Sequence, residues 1–448
     1  MNPLLALLAL AACKGGPSPA PESSTDSGAA IFSLGDPILT VGNVQESMRI
    51  EWLDAAITGD NLGIVVGQGG FMTMGLDPPE ILAKLEAERA YRVAVDGHFA
   101  YLATRIHGVY SVDLSNPSQP RISQTHAISE GFHEDIAADA GRVLVGALDD
   151  GAILLDPALE TLGVIPASYA FGVALQGDRA LVADDDALVL WDITDPTAPA
   201  ELNRAALRAT GRDIAWQGEH VAVAMGGQGV AVFSLEGDTL EHRGDLEFPG
   251  TSFSVSIDGD DLWIAGWELA ALAWLGEGGP VVRGHEPVQQ SAMGVGARGG
   301  KALVADWMFA TVLGSVPGVA GPELHVPERI GLGSPEATVA LPLRNWGAFP
   351  LEISLEAQGV SLSADHFILA PGEQVAPVLG GVGSLKVRSD DPDESSLSID
   401  VYLAELGIGS LHPDFDLAGF TWPELQQRPY RLADAAGQVL MLAYFTTW

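Results

Sequence analysis

The 448-residue chain has one cysteine, few basic residues and no apolar run long enough to cross a bilayer as a helix. Each shortage excludes something. A lone Cys13 rules out an intramolecular disulfide, a Cys-rich zinc site and a Cys-x-x-Cys redox centre within these residues. Lys and Arg total 22 against 59 Asp and Glu, for a net charge of −37. Phosphate backbones need a basic face, so nucleic acid is excluded as a partner class, and peripheral binding to anionic lipid is disfavoured. The longest N-terminal apolar run, Leu4 to Ala12, is nine residues, against roughly 20 for a spanning helix. At 47% hydrophobic and 18% charged, the chain is too apolar for general disorder and can bury a large core. Its 53 glycines and 28 prolines point to many turns, hence many short strands.

A pattern of about 40 residues recurs between residue 50 and about 316: a glycine turn, alternating apolar residues, then a small residue. It reads Gly97-His98-Phe99-Ala100-Tyr101-Leu102-Ala103 and Gly177-Asp178-Arg179-Ala180-Leu181-Val182-Ala183, then returns from Gly218, Gly259 and Gly299. A degenerate copy runs from Ala140 to Gly146, and an earlier one from Gly59 to Val66. The closing small residues at 103, 146, 183, 224, 265 and 305 are spaced by 43, 37, 41, 41 and 40. Four short strands per period with Gly and Pro punctuation describe a propeller blade, and the copies count to seven. The last copy has room for three strands only, so Pro37-Ile38-Leu39-Thr40-Val41 is expected to close the ring as its outer strand.

Val109-Tyr110-Ser111-Val112-Asp113-Leu114-Ser115-Asn116-Pro117 and Leu188-Val189-Leu190-Trp191-Asp192-Ile193-Thr194-Asp195-Pro196 resemble the LVIVD repeat of extracytoplasmic bacterial β-propellers. The resemblance implies a seven-bladed propeller over residues 31–320 that binds or scaffolds. Blade loops carry Asp149-Asp150, Asp184-Asp185-Asp186 and Asp258-Gly259-Asp260-Asp261. None has the EF-hand or nonapeptide calcium spacing, so they read as solvated turns. The ten histidines (98, 107, 126, 133, 220, 242, 285, 325, 366 and 412) include no His-x-x-x-His or HExxH arrangement. His133-Glu134-Asp135 is the densest trio of ligand-type residues, but its place at a blade start favours a structural role. With no Gly-x-Ser-x-Gly elbow and no Walker loop either, no catalytic residue, metal or cofactor is assigned.

Beyond Gly321-Pro322, alternating segments such as Ala337-Thr338-Val339-Ala340-Leu341 and Leu397-Ser398-Ile399-Asp400-Val401 predict a small β-sandwich over residues 321–405. Three phrases in order resemble the Ig-like modules of the ASPM/SPD-2/Hydin (DUF1573) type. They are Asn345-Trp346-Gly347-Ala348-Phe349-Pro350-Leu351, Leu369-Ala370-Pro371-Gly372-Glu373 and Ser389-Asp390-Asp391-Pro392-Asp393. Such modules act as spacers or protein-binding units.

The two ends carry further resemblances. Leu10-Ala11-Ala12-Cys13 is similar to the bacterial lipobox, which implies lipidation at Cys13. Residues 1–13 would then be signal peptide and lipobox, and residues 14–30 a flexible linker (GGPSPAPESSTDSGAA from Gly15). Lys14 after the cysteine implies the outer membrane, facing periplasm or surface. Leu411-His412-Pro413-Asp414-Phe415-Asp416-Leu417, Tyr430-Arg431-Leu432-Ala433-Asp434 and the apolar run Val439 to Phe445 resemble the opening of thioredoxin-like and peroxiredoxin-like proteins. Residues 406–448 would be the N-terminal part of such an α/β domain, whose next residue after Trp448 is the nucleophilic Cys; a longer reading frame is expected. The whole is expected to be a mainly β, membrane-anchored extracytoplasmic lipoprotein with protein partners still unidentified. Its complete form would carry out thiol–disulfide exchange; the alternatives are a non-enzymatic surface-binding or adhesion lipoprotein and a peroxiredoxin-type antioxidant.

Overall fold

Each glycine turn of the repeat is the corner of an antiparallel hairpin. Gly97, Gly177, Gly218 and Gly259 take φ between 59° and 66°, and nothing crowds the place a Cβ would occupy. Backbone conformation, not space, selects glycine there. The structure, a computed structural model, describes residues 32–45, 51–59, 61–126, 132–247, 250–327, 329–332 and 334–403, and the backbone of 416–421 and 426–431. Among the described residues there is no helix.

Five four-stranded antiparallel sheets follow one another in chain order. They run from Trp52–Ile57 to Pro79–Leu85, Arg92–Asp96 to Arg121–His126, Asp135–Asp139 to Thr161–Ile165, Ala170–Gln176 to Ala200–Ala206, and Asp213–Gln217 to Thr239–Leu246. A seven-stranded sheet follows, from Ser254–Asp258 to Phe309–Ser315, with Ile38–Gln45 on its edge. Its 18-residue strand Val281–Arg298 pairs through its first part with Trp267–Trp274 and through its last part with Lys301–Asp306. The first strands of successive sheets lie side by side, and Val281–Arg298 returns beside Trp52–Ile57, so the sheets form a closed ring. These strands enclose an axial cavity of about 280 Å³.

Burial explains the sequence pattern. Second strands such as Arg179–Asp184 are sandwiched between neighbouring sheets and buried almost throughout, so they read as continuous apolar runs. The outer strand Arg121–His126 is exposed and polar, which protects an open edge from pairing with other chains. Ile38–Gln45 lies antiparallel along Phe309–Ser315, from Ile38 opposite Ser315 to Gln45 opposite Phe309. That is the position expected of it from the three-stranded last repeat. The Asp-x-x-x-Pro phrases are turns closed by side chains: Asp113 Oδ1 accepts from Ser115 N at 2.9 Å, and Asp192 Oδ1 from Thr194 N at 2.8 Å. Hydrogen bonds from the Ser115 and Thr194 hydroxyls and amides hold both carboxyls below their ordinary pKa.

Residues 324–403 form three small sheets around one core that includes Leu324, Leu343, Ile353, Leu369, Leu385 and Val401. The family phrases are turns of this module. Buried Asn345 donates from Nδ2 to Phe349 O (2.6 Å) and Leu369 O (3.1 Å), and its Oδ1 accepts from Gly347 N (3.0 Å). Glu373 Oε2 accepts from Ala370 N at 2.8 Å. Asp416–Thr421 and Gln426–Arg431 form an antiparallel hairpin. Cys13, the linker and the run Val439 to Phe445 lie outside the described residues.

Candidate functional site

The ring of inner strands opens at one end with Asp54, Arg92, Asp135, Gly172, Asp213, Ser254 and Gly294. An acceptor here reaches the next sheet and takes a backbone N–H that no strand of its own satisfies. Asp54 Oδ2 accepts from Val93 N at 2.9 Å, Asp135 Oδ2 from Val173 N at 2.8 Å, and Asp213 Oδ2 from Val255 N at 2.9 Å. Ser254 Oγ does the same for Val295 N at 3.2 Å. Gly294 has no side chain because a Cβ would stand 2.3 Å from Asp54 Oδ1.

Arg92 is the one cation in this ring, and it fills the axis. Its Nη1 lies 3.6 Å from Asp54 Oδ1, its Nε lies 3.8 Å from Asp135 Oδ1, and its Nη2 donates to Phe253 O at 2.8 Å. Burial raises Asp54 to about 7, an effect that Arg92 opposes and Asp213 reinforces. Burial and the neighbouring Asp213 also push Asp135 well above the carboxylate range. Burial works against the Arg92 charge, yet Asp213, Asp54 and Asp135 more than offset it and keep the guanidinium protonated.

Over this ring sits a mouth of about 170 Å³ lined by Tyr91, Arg92, Arg105, Glu134, Phe171, Arg212, Phe253 and Trp267 among others. Arg105 Nε pairs with Glu134 Oε1 at 2.8 Å, and its guanidinium lies 5.0 Å over the Tyr91 ring. Exposed Arg212 lies 6.0 Å over Phe253, whose ring is 5.5 Å from Trp267. Trp267 in turn meets Trp307 edge-on at 6.3 Å. Arg105 and Trp307 hold φ of 66° and 52° in the turns after Phe99–Ala103 and Lys301–Asp306, and Trp267 holds φ of 72° as the first residue of Trp267–Trp274. For bulky side chains this conformation costs about 1 kcal/mol or more, and such strain concentrates at functional sites. Guanidinium groups beside aromatic faces suit a carboxylate with an apolar neighbour. The lining contains no nucleophile–base pair.

The trio His133-Glu134-Asp135 reaches this site but does not converge as a ligand set. Glu134 faces Arg105 and Asp135 faces the axis, while fully buried His133 has no partner for either ring nitrogen. Burial lowers the His133 pKa and keeps the ring neutral. Among the described residues no histidine joins a group of three ligand-type side chains. The acidic loops are only partly the solvated turns expected from sequence. Asp184 is buried and accepts from Ser168 N (2.7 Å) and Tyr169 N (3.0 Å). Asp258 Oδ2 accepts from Gly300 N at 2.6 Å, and Asp261 pairs with buried Arg283 at 2.6 Å. The loop before Ala170–Gln176 and neighbouring strands of the seven-stranded sheet, which the turn sequences alone do not reveal, recruit these carboxylates. Arg92, Arg105, Arg212, Phe253 and Trp267 carry no motif of their own. They come together only when the ring closes.

Residues 88–126 and 167–206 match the LVIVD repeat family. No curated protein sequence matches the chain. Among solved structures it is similar to the WD40 β-propeller domain of Doa1, with TM-score 0.51 and 12% identity, covering 63% of this chain and 99% of that one. It is also similar to the RRP9 WD40 repeats, with TM-score 0.52 and 10% identity, covering 64% and 99%. The β-propeller domain of Cps50 (Swd1) from Myceliophteria thermophila gives TM-score 0.51 at 9% identity, covering 61% and 99%. At these identities the likeness speaks for fold alone. The chain is a mainly β protein with LVIVD repeats and a β-propeller architecture.

Proposed function

We propose that this chain is a cell-envelope binding protein whose propeller takes an acidic group of a protein partner at the mouth around Arg92. The observation that carries this is Arg212, a guanidinium stacked on Phe253 that pairs with no carboxylate among the described residues of a chain with net charge −37. A mouth of about 170 Å³ is smaller than the roughly 300–1,000 Å³ of small-molecule sites. It fits one Asp or Glu side chain, or a chain terminus, presented by a larger partner.

The rest of the proposal follows the sequence resemblances. The five four-stranded sheets count as five blades. The seven-stranded sheet counts as two more, divided within Val281–Arg298, with Ile38–Gln45 as the last outer strand. Residues 321–405 are an Ig-like spacer, supported by the turns at Asn345 and Glu373. Cys13 is a lipid anchor, and residues 406–448 open a thioredoxin-like domain whose complete form would exchange disulfides in partners that the propeller selects.

Titration with a short peptide ending in two glutamates, followed by Trp267 fluorescence, tests the binding reading. A saturable change in the wild type that disappears in Arg212→Glu supports it. An equal response to a C-terminally amidated, lysine-ending peptide overturns it.

A further inference from the structure

A second group of acids lies where the propeller meets the following module. Glu323 is 2% exposed and Asp391 1% exposed. With Asp393 they bring three carboxylates together, ligand atoms within 4.8 Å of one another. Each buried carboxylate already spends one oxygen on the backbone. Glu323 Oε2 accepts from His285 N at 2.9 Å, and Asp391 Oδ2 accepts from Leu324 N at 2.7 Å. The other oxygens, Glu323 Oε1 and Asp391 Oδ1, are buried and accept no hydrogen bond. His285 Nδ1 stands 3.0 Å from Glu323 Oε1, but the pair is misaligned for a hydrogen bond.

Two unpartnered carboxylate oxygens, turned toward a third carboxylate, make an arrangement that charge repulsion opposes. Asp36, Glu286 and Glu394 add to the negative field. Among the described residues no lysine or arginine pairs with any of these six acids. A cation bound among them would offset this repulsion. The donors are all carboxylate oxygens, the chemistry that hard divalent cations select. An open cleft of about 670 Å³, lined in part by His285 and Glu394, lies next to the group.

We propose that Glu323, Asp391 and Asp393 bind a calcium ion that clamps the second module onto the propeller. Glu323 stands at the joint itself, at the start of the second module, with its backbone bonded to Asn345. Glu323 follows the propeller's last strand and is fixed to propeller residue His285, whereas Asp391 and Asp393 sit in the loop between Gly383–Ser389 and Ser396–Leu403. The ion would join these segments and set the angle between the two bodies. Ser389-Asp390-Asp391-Pro392-Asp393 then has a role beyond its turn.

The test is calorimetric titration of the chelator-stripped full chain with calcium chloride, alongside thermal unfolding with and without calcium. The expected result is saturable binding with a melting temperature raised by several degrees. Exposed Asp393→Asn should weaken binding at least tenfold, and Asp391→Asn should abolish it. No calcium binding by the wild type, as a proton shared between Asp391 and Asp393 would give, overturns the proposal. Undiminished binding by Asp393→Asn overturns it as well, even if Asp391→Asn fails to fold.

Discussion

Arg92 Nη1 stands 3.6 Å from Asp54 Oδ1 at the head of the propeller axis, with both side chains largely withdrawn from water. Because Asp135 and Asp213 crowd the same guanidinium, one cation serves several inner strands at once. Arg92→Met leaves these carboxylates uncompensated, and removing one partner of a buried ion pair costs about 3–5 kcal/mol. The expected result is a clearly lower urea midpoint. A midpoint equal to wild type would show that the ring does not depend on this charge.

The same burial makes stability depend on pH. Asp54 titrates at about 7 in the folded chain, against about 3.9 for an unfolded aspartate. Between these values the unfolded chain has released a proton that the folded chain keeps, so this residue's contribution to stability falls as pH rises from about 4 to about 7. Arg92 opposes the shift, as do the Val93 and Ala55 N–H groups, while Asp213 adds to it. Asp54→Asn removes the loss. Urea midpoints at pH 5 and pH 7.5 should differ less in the variant than in the wild type, and an identical difference counts against the assignment.

The inter-sheet caps are separable from the axial charge. Asp213→Ala leaves Val255 N without its acceptor, at a cost of about 1–3 kcal/mol. Asp213→Asn keeps an oxygen in place and should recover most of that loss. Equal destabilisation by both substitutions would mean that charge, not the cap, is what matters.

Much of this fold is legible in the chain itself. The glycine corners demand a backbone that other residues resist, and the doubly buried second strands must be apolar. The strand Ile38–Gln45 could be placed because the last repeat is one strand short. The site is harder to see. Arg92, Asp135, Gly172, Asp213, Ser254 and Gly294 stand eleven positions before the aligned small residues 103, 146, 183, 224, 265 and 305. The column is therefore present in the sequence, but its members share no chemistry, so similarity between repeats does not pick it out. Only closure of the ring turns Asp, Arg, Gly and Ser into one site. The Glu323–Asp391 approach is hidden for a related reason: 68 residues separate positions that meet only when the second module folds.

Attachment at Cys13 predicts a simple fractionation result. The wild type should sediment with membranes, and Cys13→Ser should move to the soluble fraction. Continued sedimentation of the variant would remove the anchor from the account.

The most direct test of the central claim, that the arginine- and aromatic-lined mouth binds an acidic group, is to map where such a group lands. An acidic peptide with a photoreactive residue next to its terminal glutamate is cross-linked to the full chain and the adducts are located by mass spectrometry. The account predicts adducts on the mouth side, at Arg105, Phe253 or Trp267, and their loss in Arg212→Glu. Adducts at the opposite hairpin corners, around Gly97, Gly177 and Gly218, would contradict it.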